Sequence, residues 1–231
     1  MRKRKKKVAI FDIDGTIFRS SLLIEVMDAL IQAGYLKPEV SRGYEQSYQA
    51  WLDRKGSYDR YILDVVTVFH AHIVLLRHRD FLRVAEQVAR FHRSRVYRYT
   101  RDLVRDLKRK GYYLLVVSHS PKIVLDFFCA KLGFDKVYGT VYEVGPNGWY
   151  TGEIIYDGII ADKAKIVRRA IEKGGLTLRG SIGVGDTESD ISFLKLVDRP
   201  ICFNPNQKLY RYAKKAGWEI VVERKDVLYR M

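Results

Sequence analysis

Cysteine is scarce in this chain of 231 residues: Cys129 and Cys202 are the only two, and neither sits in a C-x-x-C spacing. A disulfide framework is therefore excluded, and a reducing cytoplasm is the expected compartment. Long apolar runs are missing too. The longest sheet-like run covers 112–117, and the stretch 62–76 is broken by Asp64, His70 and His72, far short of the roughly 20 apolar residues that span a bilayer. Nothing after Met1 has the apolar segment and small-residue cleavage site of a signal peptide. No transmembrane segment and a soluble protein are expected. Acidic residues are outnumbered, 27 against 42 Lys and Arg. Internal repeats are absent, and the one biased segment is the basic run Arg2, Lys3, Arg4, Lys5, Lys6 and Lys7.

What is present suffices for a packed core. Hydrophobic residues make up 47% and charged residues 30% of the chain, which fits one large domain, or one domain carrying a smaller insertion, rather than disorder. The formal charge of +15 suits a nucleic acid, an anionic membrane or an anionic small substrate, and does not choose among them. The basic N-terminal run reads as a solvated tail, with contact to nucleic acid or an anionic membrane as its functional alternative.

Along the chain, Val8–Phe11 reads as a strand buried on both faces that ends at Asp12. Ser20 and Ser21 suit the cap of a helix carrying Leu22, Leu23, Val26, Leu30 and Ile31, with Gly34 at its end. From Pro38 to about Ser94 the pattern stays helical without strand alternation, as expected of an inserted helical unit. A helix ending at Lys108–Gly111, a second buried strand over 112–117 and a helix capped by Ser120-Pro121 follow. Next come a hairpin around Pro146-Asn147-Gly148, a helix opened by Asp162, a strand over 181–184 closed by Gly185-Asp186, a strand near 201–203, a helix over 209–216 and a strand over 218–222. The expected fold is α/β: a Rossmann-like, mostly parallel sheet with helices on both faces, an inserted α-helical cap and a small β-hairpin. The expected division is a core of residues 1–19 and 95–231, with the cap at 20–94.

Parallel sheets bind ligands outside the carboxyl ends of their strands, and the polar clusters fall there. Asp12 and Asp14 lie two apart where a strand runs out, so in extended backbone both point the same way. Two adjacent anions call for a hard cation such as Mg2+, to which Asp186 adds a third carboxylate. The plainer reading, a D-G turn with Asp12 as a cap, carries weight when that motif is taken alone. Asp186 and Asp190 are four apart, on one face if a helix begins at once, whereas Glu188 reads as an ordinary acid at a helix start. Ser118 stands before a helix N-terminus suited to an anion, and Lys163 offers a compact positive charge, with Lys165 as runner-up. His119, between Ser118 and Ser120, is expected only to position its neighbours. His70 and His72 would diverge on a helix and are rejected as a metal pair.

In order, FDIDGT at 11–16, VVSHS at 116–120, the lysine of ADKAKIV at 161–167 and GVGDTESD at 183–190 resemble the four motifs of the haloacid dehalogenase superfamily, in its phosphoserine-phosphatase-like branch. The resemblance spans nearly the whole chain. It implies a magnesium-dependent phosphatase acting on a small phosphorylated substrate. Asp12 would be the nucleophile that forms an aspartyl phosphate, and Asp14 the acid and then base. Ser118, Lys163 and Thr16 would bind phosphate, Asp12, Asp14 (through its carbonyl) and Asp186 would hold the metal, and Asp190 would orient its shell. Alternatives are a phosphotransferase or mutase of the same superfamily, or a basic nucleic-acid or membrane-surface binder with a vestigial core. The glutamate that phosphoserine phosphatases place seven residues after the second motif aspartate is Ser21 here, so phosphoserine is not the expected preferred substrate. Any of Arg54, Lys55, Arg60, Arg77 or Arg79 that faced the site would call for a second anionic or polar group on the substrate.

Overall fold

The computed structural model describes residues 5–231. Strand β1 (Lys6–Phe11) is followed by helices α1 (Leu22–Gln32), α2 (Arg42–Leu52), α3 (Tyr58–His72), α4 (His78–His92) and α5 (Arg98–Arg109) before strand β2 (Tyr113–Pro121). Helix α6 (Lys122–Cys129), strands β3 (Lys136–Val144) and β4 (Tyr150–Ile155), the short helix α7 (Asp157–Ile160), helix α8 (Lys163–Gly174) and strand β5 (Leu176–Gly185) come next. The chain closes with α9 (Ile191–Leu194), β6 (Arg199–Phe203), α10 (Gln207–Ala216), β7 (Glu219–Arg224) and β8 (Val227–Arg230).

All eight strands form one sheet in the order β4-β3-β2-β1-β5-β6-β7-β8. The pairs from β3 through β7 are parallel, and the two outermost strands, β4 and β8, are antiparallel. Strand β1 is central because it can be buried on both faces. Ala9 and Phe11 join the apolar layer with Leu22, Val84, Val104 and Val124 of α1, α4, α5 and α6. Val8 and Ile10 join the opposite layer with Ile166, Phe193 and Leu209 of α8, α9 and α10. This is the expected α/β, Rossmann-like sheet.

Three local expectations are corrected. Strand β1 begins at Lys6, with Lys6 and Lys7 paired to Leu176 and Thr177, so only the front of the basic run can be a tail; Arg2, Lys3 and Arg4 lie outside the described residues. Ser21 holds the N-cap position of α1, but its side chain makes no cap hydrogen bond; the amide of Leu22 donates instead to Asp14 Oδ1 at 2.6 Å. Ser120 does not cap α6 either, because its hydroxyl turns to Asp14. The expected hairpin joins the main sheet, since β3 also pairs with β2. Strand β8 escaped the pattern because its turn, Lys225-Asp226, has no glycine, and Lys225 itself takes a φ of 55°.

The helices between β1 and β2 are fixed at several points. Helix α4 packs against α1 and α6, while α2 packs against α3. His78 and Tyr150 amides donate to the carbonyls of Gly148 and Leu76, joining this segment to the hairpin. Buried Glu223 accepts from Arg19 and from the amides of Arg98 and Tyr99, and Thr100 donates to the carbonyl of Thr16 at 2.8 Å. The loop after β1 is thereby held at both its middle and its end.

Candidate active site

Asp12 follows the last residue of β1, and its amide continues the sheet by donating to Val184 of β5. That pairing leaves its carboxylate at the carboxyl edge, almost fully buried. Asp186 follows β5 in the same way, so two neighbouring parallel strands deliver two carboxylates to one point. Asp12, Asp186 and Asp190 each place an oxygen within 4.8 Å of the others. Two close approaches make this possible. At Gly15, whose φ is +71°, a Cβ would lie 2.0 Å from Asp186 Oδ2, and at Gly185 one would lie 2.5 Å from Asp190 Cγ. Any side chain at either position would displace a carboxylate.

Asp186 and Asp190 do not share a helix face. A 3-10 turn over Glu188–Asp190 folds Asp190 back, so that its Oδ2 accepts from the amides of Asp186 and Thr187 at 3.0 Å each. Its Oδ1 accepts from Lys163 Nζ at 2.6 Å. Lys163 also reaches Asp12 Oδ1 at 3.0 Å and is 3% exposed. Helix α8 presents it from its first position, capped by Asp162, whose side chain accepts from the Ala164 amide. Lys165 points elsewhere, to the carbonyl of Gly158. Thr16 does not line the cavity; its buried hydroxyl donates to Asp186 Oδ1 at 3.1 Å.

Asp14 belongs to a separate set. Its Oδ2 accepts from Ser118 at 3.0 Å and from Ser120 at 2.7 Å, and its Oδ1 takes the Leu22 amide. Burial raises its pKa against the pull of those donors, which favour the ionised form. Asp12 is pushed up to about 7, first by burial and then by Asp190 and Asp14, with Lys163 opposing. Asp186 is raised well above the ordinary value by burial and by Asp12 and Asp190. Burial works against the charge of Lys163, yet Asp12 and Asp190 hold its pKa above the usual value. Three buried carboxylates thus face one ammonium, an imbalance that a divalent cation with oxygen ligands would remove.

The residues fit such an ion unequally. Both oxygens of Asp190 are already committed, whereas Asp12 Oδ2 and Asp186 Oδ2 accept from no described residue. Asp12 and Asp186 are therefore the side chains with oxygens to give, and Asp190 holds Lys163 and the turn in place.

Above this floor lies a cavity of about 390 Å³ that also includes Ser21 and His119. Its far side comes from α1 and α3: Leu23, Tyr58, Asp59, Ile62, Leu63 and Val66. None of Arg54, Lys55, Arg60, Arg77 or Arg79 lines it. Ser120, Tyr58, Asp59 and Glu188 are among the cavity residues that sequence reasoning missed. Ser120 before Pro121 resembles a helix cap in the sequence, yet a second serine two after Ser118 on an extended strand signals the same side of the sheet. Tyr58 and Asp59 follow Ser57, which does cap α3, but no sequence pattern says where that helix start points.

A family model described as haloacid dehalogenase-like hydrolase matches residues 9–195. The chain is 25% identical over 229 residues to a histidinol-phosphatase of Neisseria meningitidis, covering 94% of this chain and 98% of that one. It is 23% identical over 227 residues to a phosphoserine phosphatase of Methanocaldococcus jannaschii, covering 97% and 96%. A solved phospho-aspartyl intermediate analogue of phosphoserine phosphatase superposes with a TM-score of 0.62 at 22% identity, covering 96% of each chain. That likeness shows the shared fold.

Proposed function

The chain belongs to the haloacid dehalogenase-like hydrolase family and is a phosphoric monoester hydrolase, and from that premise we propose that it cleaves a small phosphomonoester through an aspartyl phosphate on Asp12 with the help of Mg2+. The observation that carries this reading is the division of labour between two aspartates two residues apart. Asp12 lies among Lys163, Asp186 and Asp190 with one oxygen unclaimed, while Asp14 is held by two hydroxyls and an amide at the same cavity.

Asp12 attacks phosphorus with one carboxylate oxygen, while Lys163, fixed against Asp12 and Asp190, offers its charge to a phosphoryl oxygen. Asp14, its pKa raised by burial, gives its proton to the departing alkoxide. The resulting Asp14 carboxylate is stabilised by Ser118, Ser120 and the Leu22 amide, and takes a proton from the water that attacks the acyl phosphate at phosphorus. Asp12 is then free again. Mg2+, held by Asp12, Asp186 and the backbone carbonyl of Asp14, would supply positive charge between the carboxylate and phosphate anions. Thr16 holds the Asp186 carboxylate in place, and Ser118 donates to phosphate when Asp14 releases it.

Residues 20–94 act as the cap over residues 1–19 and 95–231, and the two buried, unpaired cysteines suit a cytoplasmic setting. No helix among the described residues is long and apolar enough to cross a membrane. The test is a screen of phosphomonoesters with and without Mg2+, followed by acid quench and peptide mass analysis. Turnover that depends on Mg2+, with one phosphoryl group on the peptide containing Asp12, supports the reading. Turnover undiminished by excess chelator, or a phosphoryl group on another residue, contradicts it.

A further inference from the structure

The wall opposite the carboxylates is aliphatic and partly open. Helix α3 buries Tyr61, Val65 and Phe69 on one side, and turns Ile62, Leu63 and Val66 to the cavity, where Leu23 of α1 completes the surface. Leu63 is 55% and Val66 36% exposed. Large aliphatic side chains left open beside a catalytic floor gain when something apolar covers them.

The charge pattern points the same way. Among the described residues Lys163 is the only Lys or Arg lining the cavity, and it is already shared by Asp12 and Asp190. Three basic side chains of the helical segment are engaged elsewhere: Arg60 pairs with Asp64, Arg79 with Asp80, and Arg77 lies 4.9 Å over the Trp149 ring. At the rim, Asp59 and Glu188 share a single exposed lysine, Lys208, at 3.4 and 2.6 Å. Two carboxylates against one ammonium leave the rim negative. A carboxylate on the leaving group would meet that rim with no unshared Lys or Arg to receive it, and its desolvation would go uncompensated.

We infer that the alcohol released is an apolar stem of several carbons that carries no negative charge. This rests on the phosphatase reading above. Phosphoserine, whose carboxylate is carried by the carbon next to the ester methylene, is a poor match to such a wall, and none of the basic residues that would have called for a second anion lines the cavity.

The experiment compares kcat/KM for methyl phosphate, butyl phosphate and the phosphate ester of 4-hydroxybutanoate, with 4-nitrophenyl phosphate as the general probe. Butyl phosphate should exceed methyl phosphate on the order of 30-fold, from about three- to fourfold for each methylene covered. It should exceed the carboxylate ester by at least about tenfold. Replacing Leu63 and Val66 by Gln should shrink the butyl-to-methyl ratio to a few-fold, and Leu63→Lys should raise the carboxylate ester relative to butyl phosphate. The series on the unaltered protein decides the matter even where a variant fails to fold. A flat or inverted series, with 4-nitrophenyl phosphate still turned over, overturns this inference alone. Absence of turnover with every ester overturns the phosphatase reading and this inference with it.

Discussion

The floor and the roof of the cavity are built on opposite principles. On the floor, at the carboxyl ends of β1, β2 and β5, most polar atoms are partnered: Lys163 with two carboxylates, Asp190 with an ammonium and two amides, Asp14 with two hydroxyls and an amide. On the roof, α3 leaves Leu63 and Val66 open. A floor assembled from strand ends is rigid because the sheet fixes each residue's neighbours, as proton transfer and in-line attack require. A roof assembled from one helix face can change its side chains without disturbing that geometry. On the proposed reading, the comparison assigns reaction type to the floor and choice of alcohol to the roof.

The sharpest way to break this division is Asp12→Asn. It removes the proposed nucleophile, and turnover of every ester should fall by at least about 10^4-fold whatever the leaving group. Steady-state assays across the ester series check it; a loss that depended on the alcohol would place leaving-group choice in the floor. Asp14→Asn comes next, with an expected loss of about 10^2- to 10^4-fold for alkyl esters and a much smaller one for 4-nitrophenyl phosphate, whose leaving group needs no proton. An equal loss for both would remove the acid role. Gly15→Ala tests how tightly the floor is set. Its Cβ would fall 2.0 Å from Asp186 Oδ2 at a φ of +71°, and displacement of that carboxylate should cost on the order of 10^2-fold in kcat and weaken Mg2+ binding measured by calorimetry. Wild-type kcat in this variant would show that the floor tolerates movement.

A smaller effect should appear in stability. Asp12 is raised to about 7 in the folded chain from an ordinary value of 3.8, so between those values the native state keeps a proton that the unfolded state has lost. Its contribution is therefore present below about pH 4 and is lost as pH rises through 7. In chelator, Tm should fall across that window more steeply for the native sequence than for Asp12→Asn, and Mg2+ should flatten the difference. Identical slopes for the two proteins would contradict the charge imbalance on which the metal assignment rests.

Much of the floor was legible in the sequence because strands announce themselves. An apolar run such as Val8–Phe11 that stops at an aspartate fixes both the buried strand and the position of the acid beyond it. Lys163 was legible from its place just inside a capped helix. Local signals misled where a residue had two possible partners. Ser20, Ser21 and Ser120 looked like caps, but Asp14, arriving from another element, caps α1 itself and takes the Ser120 hydroxyl. The spacing of Asp186 and Asp190 suggested one helix face, whereas the intervening turn bent Asp190 back onto backbone amides. The roof was the least legible part. Helical periodicity distinguishes the buried face of α3 from the rest, yet only tertiary packing decides that Ile62, Leu63 and Val66 meet the cavity while the arginines face away.

The passage of the phosphoryl group through Asp12 is tested most directly by stereochemistry. A phosphorothioate monoester made chiral with oxygen isotopes is hydrolysed in water of the third isotope, and the configuration of the released thiophosphate is determined. Two successive in-line displacements, at Asp12 and then at water, predict retention at phosphorus. Inversion would mean that water attacks the ester directly and would contradict the account.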